Sequence, residues 1–178
     1  MATIRYGSVV KDKLTKVLVE AFTSLGYFAA LTAYREHSFQ HRTYNLHDSY
    51  GSAVFVNGKL VRDSIKFVNR SRSKKKDTHS HSIGGAKTGR EALIRFFENT
   101  HIGRSNNYIT IVVAAAMWYA ENVESKGFTV LNENTVKNYI AQNYQKSITP
   151  ILQKYGMDEF APVVKKWLGI DEVYYYDL

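Results

Sequence analysis

The segment SAVFVNGKLVRDSIKFV, residues 52–68, decides the fold because it predicts a β-hairpin. Two runs of strand-forming residues flank the dipeptide Asn57-Gly58, and both members of that pair tolerate a positive φ angle. The sequence therefore predicts strands near 51–56 and 59–68, joined by a two-residue turn. A helical alternative remains open for the end of the segment, where basic residues recur every four positions.

The residues before the hairpin predict a long amphipathic helix. Apolar side chains recur three or four positions apart across 9–34, which is the period of one helix face, and Gly26 is the weakest point of this helix. The predicted apolar face comprises Val10, Leu14, Val17, Leu18, Phe22, Leu25, Phe28 and Ala29.

The chain after the hairpin predicts a loop, a capped helix and a third strand. Residues 69–87 have almost no apolar side chains, which indicates a flexible loop. Thr88 followed by Glu91 has the pattern of a capping box, so a short helix is expected from there to about residue 100. The continuous apolar run NYITIVVAA, residues 107–115, predicts a central, buried strand.

The C-terminal part of the chain is predicted to be mainly helical. A helix-like segment stops at Gly127, and a longer helix is expected over 133–154, kinked at Pro150. Gly156 is expected to end that helix and Asp158 to cap a last one. The order αββαβαα predicts an α+β fold, with a small, mostly antiparallel sheet packed against the long N-terminal helix and the C-terminal helices.

Composition predicts a single soluble domain over residues 1–178. Apolar residues make up 44% of the 178 residues, which suffices for one core. The chain has no cysteine, which excludes disulfides, thiolate zinc sites and thiol nucleophiles. A secretory signal is not evident, and the longest apolar run, 109–120, is shorter than the ~20 residues of a membrane span. The net charge of +8 attracts polyanions without identifying a partner.

Motifs for enzymatic and cofactor chemistry are incomplete. In HSIGGAKTG, Ala86 stands where a phosphate-binding loop needs glycine before its lysine, and His81 occupies the earlier glycine position. His37 and His41 have the spacing of two zinc ligands on a helix, but Ser38 replaces the catalytic glutamate of that motif. A second histidine pair, His79 and His81, also lacks the third ligand that zinc sites require. The sequence predicts no enzyme, no metal and no cofactor.

The segment NRSRSKKKDTHSHS, residues 69–82, supports two hypotheses. Its cations can contact phosphates with release of counterions, or they can belong to a solvated loop or a subunit contact. No aromatic residue lies between Val68 and Arg95, so the segment alone cannot stack on bases. The candidate contact residues are Arg70, Arg72, Lys74, Lys75 and Lys76.

Two other stretches resemble the neck or tail-completion proteins of tailed bacteriophages, with loose similarity over about 8–155. The first family pattern is Thr-Gly-x-Leu-x-x-Ser before a hairpin, and Tyr44 replaces its glycine here. The second is a hydrophobic strand leading to Tyr-Ala-x-x-Val-Glu and a glycine, which here follows one residue later than in the family. The matching residues are Thr43, Leu46, Ser49, Tyr119, Ala120, Val123, Glu124 and Gly127.

The resemblance implies a non-enzymatic α+β subunit of a ring between the portal and the tail, with a lumen that passes the genome. Its partners would be copies of itself, the portal, adjacent neck-ring or tail proteins and, transiently, the DNA backbone. Its location would be the virion, after synthesis in the host cytoplasm. The motif residues would have scaffold roles: Ser49 can close a turn, Glu124 can bond backbone donors or a neighbour's cation, and Gly127 can adopt a positive φ angle.

The C-terminal segment 169–178 is a candidate subunit contact in such a ring. Tyrosine is enriched at interfaces because it buries a large area and keeps a polar group. An edge strand in the chain's own sheet is an equal alternative for this segment. The candidate contact residues are Asp171, Glu172, Tyr174, Tyr175 and Tyr176.

Two other classes of function compete with the ring subunit. The main rival is a cytoplasmic basic protein that binds nucleic acid non-specifically through the 69–87 loop. A third hypothesis is an enzyme whose site is assembled from residues far apart in the sequence. A ring subunit should form a homo-oligomer, whereas a nucleic-acid-binding module should show strongly salt-dependent DNA affinity.

Overall fold

A computed structural model describes residues 8–39, 44–70, 86–101, 109–117 and 119–160. The last described element, Asp158–Phe160, is one turn of 3-10 helix. In chain order the other elements are α1 (Ser8–Arg35), α2 (Asn45–Asp48), β1 (Tyr50–Val56), β2 (Lys59–Phe67), α3 (Gly89–Asn99), β3 (Ile109–Ala115), α4 (Ala120–Glu124) and α5 (Glu133–Lys154).

The three strands form one antiparallel sheet in the order β2-β1-β3. Val54 of β1 packs with apolar side chains of α1 and α5 on one face of this sheet. Phe55 of β1 packs with Leu93 and Phe97 of α3 on the other face. The predicted α+β fold, with a small antiparallel sheet against the N-terminal helix and C-terminal helices, is confirmed.

The predicted position of the third strand in the sheet is wrong. Among the described strands β3 lies at an edge of the sheet, and of its residues only Val113 and Ala114 are buried. Its apolar residues are continuous because helices cover both of its faces: Ile111 packs with α1, whereas Val112 packs with the α3 cluster. The central strand is β1, the first strand of the hairpin, whose first six residues are all buried.

The hairpin turn has the predicted geometry. Asn57 and Gly58 have φ angles of 53° and 75°, the pattern of a type I′ turn. The helical alternative for the end of this segment is wrong, because residues up to Phe67 belong to β2. The pairing of β1 with β2 is irregular between Ser52 and Val54. There the Ser64 hydroxyl accepts from the Val54 N–H group at 2.7 Å, which replaces a regular backbone bond.

The N-terminal helix crosses the sheet at close range. A Cβ atom at Gly26 would lie 2.8 Å from Cγ2 of Ile111, so glycine permits this approach. Within α1, Asp12–Arg35 is long and apolar enough to span a membrane by length and composition, but half of the most apolar window is buried in the fold. Core helices of soluble proteins pass the same test.

Phe28 belongs to the predicted apolar face of α1 but is not in the core. Phe28 is 45% exposed, whereas Leu25 and Ala29 on the same helix are buried. Periodicity predicts which residues share a helix face, but it does not predict how wide a surface the rest of the protein covers. Phe28 lies at the rim of that covered surface, beside an open groove described below.

Helix ends follow the predicted capping chemistry. The Thr88 hydroxyl accepts from the Glu91 N–H group at 3.2 Å, and the Glu91 carboxylate accepts from the Lys87 N–H group at 2.7 Å, one residue before the usual capping-box partner. Gly156, with a φ angle of 63°, ends α5 in a Schellman motif, in which the Met157 N–H group donates to the Leu152 carbonyl at 2.8 Å. Pro150 lies inside α5, as expected.

Candidate functional site

The two motif segments that are far apart in the sequence meet in the structure. The backbone N–H group of Leu46 donates to the Tyr119 hydroxyl at 3.1 Å. Leu46 belongs to a buried cluster against which Tyr119, Ala120 and Val123 also pack. We call this contact between α2 and the start of α4 the motif junction.

Ser49 connects the motif junction to the sheet. Its hydroxyl donates to the Leu46 carbonyl at 2.8 Å, and its own carbonyl accepts from the Ala116 N–H group at 3.3 Å. Ser49 has no exposed surface. Serine fits this position because its short side chain places the hydroxyl within hydrogen-bonding distance of a carbonyl in the same turn. A buried hydroxyl without a partner would be costly.

Tyr44 has a left-handed backbone conformation, with a φ angle of 62°. This is the position at which the phage family pattern has glycine, the residue that adopts such angles without a steric cost. The Tyr44 ring makes an edge-on contact with the His47 ring, with 5.5 Å between ring centroids. Thr43, the first residue of the pattern, lies outside the described residues.

We expect Tyr44→Gly to be more stable than Tyr44→Ala by about 1 kcal/mol. Both variants lose the ring contact with His47, but only alanine retains the steric cost of a side chain at a positive φ angle. Urea unfolding of both variants measures the difference. Equal stabilities, or a more stable alanine variant, would show that no glycine-like geometry is required at this position.

The far end of the second motif is held by Glu124 and Gly127. The Glu124 carboxylate accepts from the backbone N–H group of Leu131 at 3.0 Å. Gly127 has a φ angle of 83°, and the Phe128 N–H group donates back to the Val123 carbonyl at 3.4 Å, which completes a Schellman motif after α4. Glu124 therefore bonds a backbone donor of its own chain, one of the two roles expected for it.

A buried polar cluster adjoins the motif junction. The Nδ1 atom of His47 lies 2.9 Å from the Asp48 carboxylate, and both side chains are almost completely buried. The Tyr34 ring contacts the His47 and Tyr50 rings edge-on. The Tyr50 hydroxyl donates to the Val130 carbonyl. Burial raises the pKa of Tyr50 well above its usual range, and the nearby Glu124 carboxylate adds to this shift, so the hydroxyl remains protonated.

Asn69, near the start of the basic segment 69–82, is attached to this polar cluster. The Asn69 side-chain amide donates to the His47 carbonyl at 2.9 Å, and the Arg90 guanidinium donates to the Asn69 carbonyl at 2.7 Å. The guanidinium also lies 4.4 Å from the centre of the Phe67 ring. Arg70 is exposed. The other four candidate cations, Arg72, Lys74, Lys75 and Lys76, lie outside the described residues.

Histidines and carboxylates do not form a metal site in the part of the chain that the structure describes. Within the described ranges, no group of three or more histidine, cysteine, aspartate or glutamate side chains could hold an ion. His37 contacts the Tyr34 carbonyl and stacks on the Tyr34 ring. Its proposed partner His41, and the pair His79 and His81, lie outside the described residues.

An open groove of about 650 Å³ separates α1 from β2. Its lining is mainly apolar, and Glu20 and Asp63 add two carboxylates to it. Hydrogen bonds from Lys154 at 2.8 Å and Tyr155 at 2.7 Å lower the pKa of Glu20, so its negative charge is already compensated. The other lining residues are Lys16, Val19, Thr23, Ser24, Tyr27, Phe28, Val61, Ser64 and Lys66.

Some residues of the candidate site could not have been recognised from the sequence. Arg90 and Asn69 are joined to His47 through tertiary contacts only. The adjacent Tyr27 and Phe28 could have been noticed, because two aromatic residues on one helix point in different directions and only one side of α1 faces the core. The predicted contact residues Asp171, Glu172, Tyr174, Tyr175 and Tyr176 lie outside the described residues.

Comparisons of this chain with protein-family models, curated proteins and solved structures gave no match. The resemblance to phage neck proteins therefore depends on the motif residues alone, and function has to be argued from their geometry.

Proposed function

We propose that this protein is a structural subunit of a phage neck or tail ring that joins the portal to the tail and forms part of the DNA conduit. The motif junction is the observation that supports this most directly. If the two short motifs matched the family by coincidence, a specific contact between them would not be expected. Here Leu46 and Tyr119, one from each motif, share a hydrogen bond and a buried cluster.

The conformation of Tyr44 adds independent support. The family pattern has glycine at this position, and the backbone here adopts the angle that favours glycine although the residue is tyrosine. The backbone here can therefore resemble that of the family although tyrosine replaces the glycine. The described motif residues serve the scaffold, which suits a subunit whose work is assembly.

Assembly is the property that tests this function. We expect the full-length protein to form a closed ring, alone or on its portal or tail neighbour, in light scattering and electron microscopy of negatively stained particles. The protomers should lie in the virion beside those neighbours. Protein that stays monomeric in the presence of every neck component would contradict the proposal.

Non-specific DNA binding is the competing function, favoured by the net charge of +8. For this rival, replacing Lys74, Lys75 and Lys76 with alanine should flatten the salt dependence of DNA affinity, by about 0.9 in log–log slope for each phosphate that is no longer neutralised. For a ring subunit, both proteins should bind short duplexes weakly and alike. Tight, lysine-dependent binding by a monomer would favour the rival.

A further inference from the structure

The groove between α1 and β2 has the surface of an interface and not of a closed core. Phe28 is 45% exposed at its rim, and Val19, Tyr27 and Val61 extend the apolar surface along it. Large exposed aromatic side chains beside an apolar surface are typical of protein contact sites. The groove is also open to solvent, so it suits a peptide segment laid across the surface better than an enclosed small ligand.

The charges around the groove favour an acidic occupant. Lys16 and Lys66 line it, and the Glu20 carboxylate is compensated by Lys154. Asp63 is the remaining acidic group of the lining. Along the chain, the strand that contains Lys66 is followed by the basic segment 69–82.

The chain itself contains a segment with the matching chemistry. Residues 170–178, IDEVYYYDL, combine three consecutive tyrosines with three carboxylate side chains. This segment follows the last described residue, Phe160, by nine residues. Nine residues span roughly 14 Å as the predicted last helix and at most roughly 30 Å when extended, so the segment can reach beyond Phe160 in either case.

We propose that the groove binds residues 170–178 of a second copy of this protein. The tyrosines 174–176 occupy the apolar surface beside Phe28, and the carboxylates face Lys16 and Lys66. This inference rests on the proposed ring function and names the two surfaces that would form its subunit contact. Because groove and tail are different surfaces, the contact is head-to-tail, the type that generates rings.

Three full-length variants test the contact. Phe28→Ala removes the aromatic side chain at the groove, and Tyr174→Ala/Tyr175→Ala/Tyr176→Ala removes those of the tail. Phe128→Ala is the matched control, since Phe128 is 44% exposed but lies outside the groove. By analytical ultracentrifugation we expect the first two to weaken self-association at least about 10-fold and the control to leave it unchanged, as truncation of a central aromatic anchor predicts.

Mixing the two weakened variants separates a contact between copies from one within a single chain. The Phe28→Ala chain retains its tail and the tyrosine variant retains its groove. Their mixture should therefore form a 1:1 dimer through the one intact contact. If the tail occupied the groove of its own chain, the mixture would associate no better than either variant alone, and the proposal would be overturned.

Two further results would also overturn the proposal. One is that the Phe28→Ala variant associates as strongly as the unmodified protein. The other is that the unmodified protein remains monomeric up to about 1 mM, a concentration at which even weak association is detected. Neither result decides the ring function, because a ring assembled on the portal through other surfaces would still appear by electron microscopy. Conversely, a groove-to-tail assembly that never joins a neck component would support this contact and contradict the ring function.

Discussion

Replacing Val54 with aspartate should prevent the protein from folding. Val54 is 1% exposed and lies in the central strand, where it packs with α1 and α5. An aspartate there would lose its hydration without gaining a partner, which costs several kcal/mol and exceeds much of the stability of a typical domain. Circular dichroism and the soluble yield measure the outcome.

Val61→Asp is the matched control for that variant. Val61 faces Val54 across the hairpin but is partly exposed at the open groove. Its carboxylate would stay hydrated, so we expect a cost of only about 1 kcal/mol or less. Val112→Asp, on the edge strand β3, should fall between the two. A soluble Val54→Asp protein that unfolds cooperatively near the unmodified melting temperature would refute the assignment of β1 as the buried centre.

Replacing Gly89 with alanine should destabilise the protein by about 3 kcal/mol or more. Helix propensity alone predicts a gain of about 1 kcal/mol for this change. However, a Cβ atom at Gly89 would lie 1.9 Å from the Asn45 carbonyl oxygen and 2.9 Å from the Ser49 nitrogen. Both are backbone atoms and cannot rotate away. The first turn of α3 would have to move away from α2, which would open the polar cluster around His47.

Gly156→Ala introduces the same methyl group without a collision. Its Cβ atom would meet no atom within 4 Å, so the only cost is that of its φ angle of 63°, about 1–2 kcal/mol. Urea unfolding of both variants therefore separates steric contact from backbone conformation. A Gly89→Ala protein as stable as Gly156→Ala would mean that α2 and α3 do not pack as closely as described.

The parts of the fold that could be predicted from sequence depend on local interactions. The Asn57-Gly58 turn, the Thr88 cap and the Gly156 helix end each involve residues within a few positions of one another. The residue types at neighbouring positions are therefore enough to predict the backbone conformation of each. The extents of α1 and α5 follow similarly from helix periodicity.

The parts that could not be predicted depend on contacts between distant residues. The unbroken run of apolar residues in β3 indicates that helices cover both faces of the strand. A central strand and an edge strand can both have such a run, so the sequence does not distinguish them. The exposure of Phe28 depends on which side of α1 the sheet and α5 occupy. For the candidate site, the motif residues were evident in the sequence, but the hydrogen bond between Leu46 and Tyr119 required the structure.

The central position of β1 also has a consequence for the order of folding. Val56 pairs with Lys59 across a tight turn on one side and with Ile109 on the other. Hairpins form in about 1–10 μs, whereas ribosomes add about 5–20 residues per second, so several seconds pass before β3 is synthesised. During that interval the open side of β1 can accept a strand from another nascent chain. In refolding of the full chain β3 also has to return from a distant part of the sequence, so high protein concentration should produce domain-swapped dimers that exchange β3, and slow dilution should suppress them.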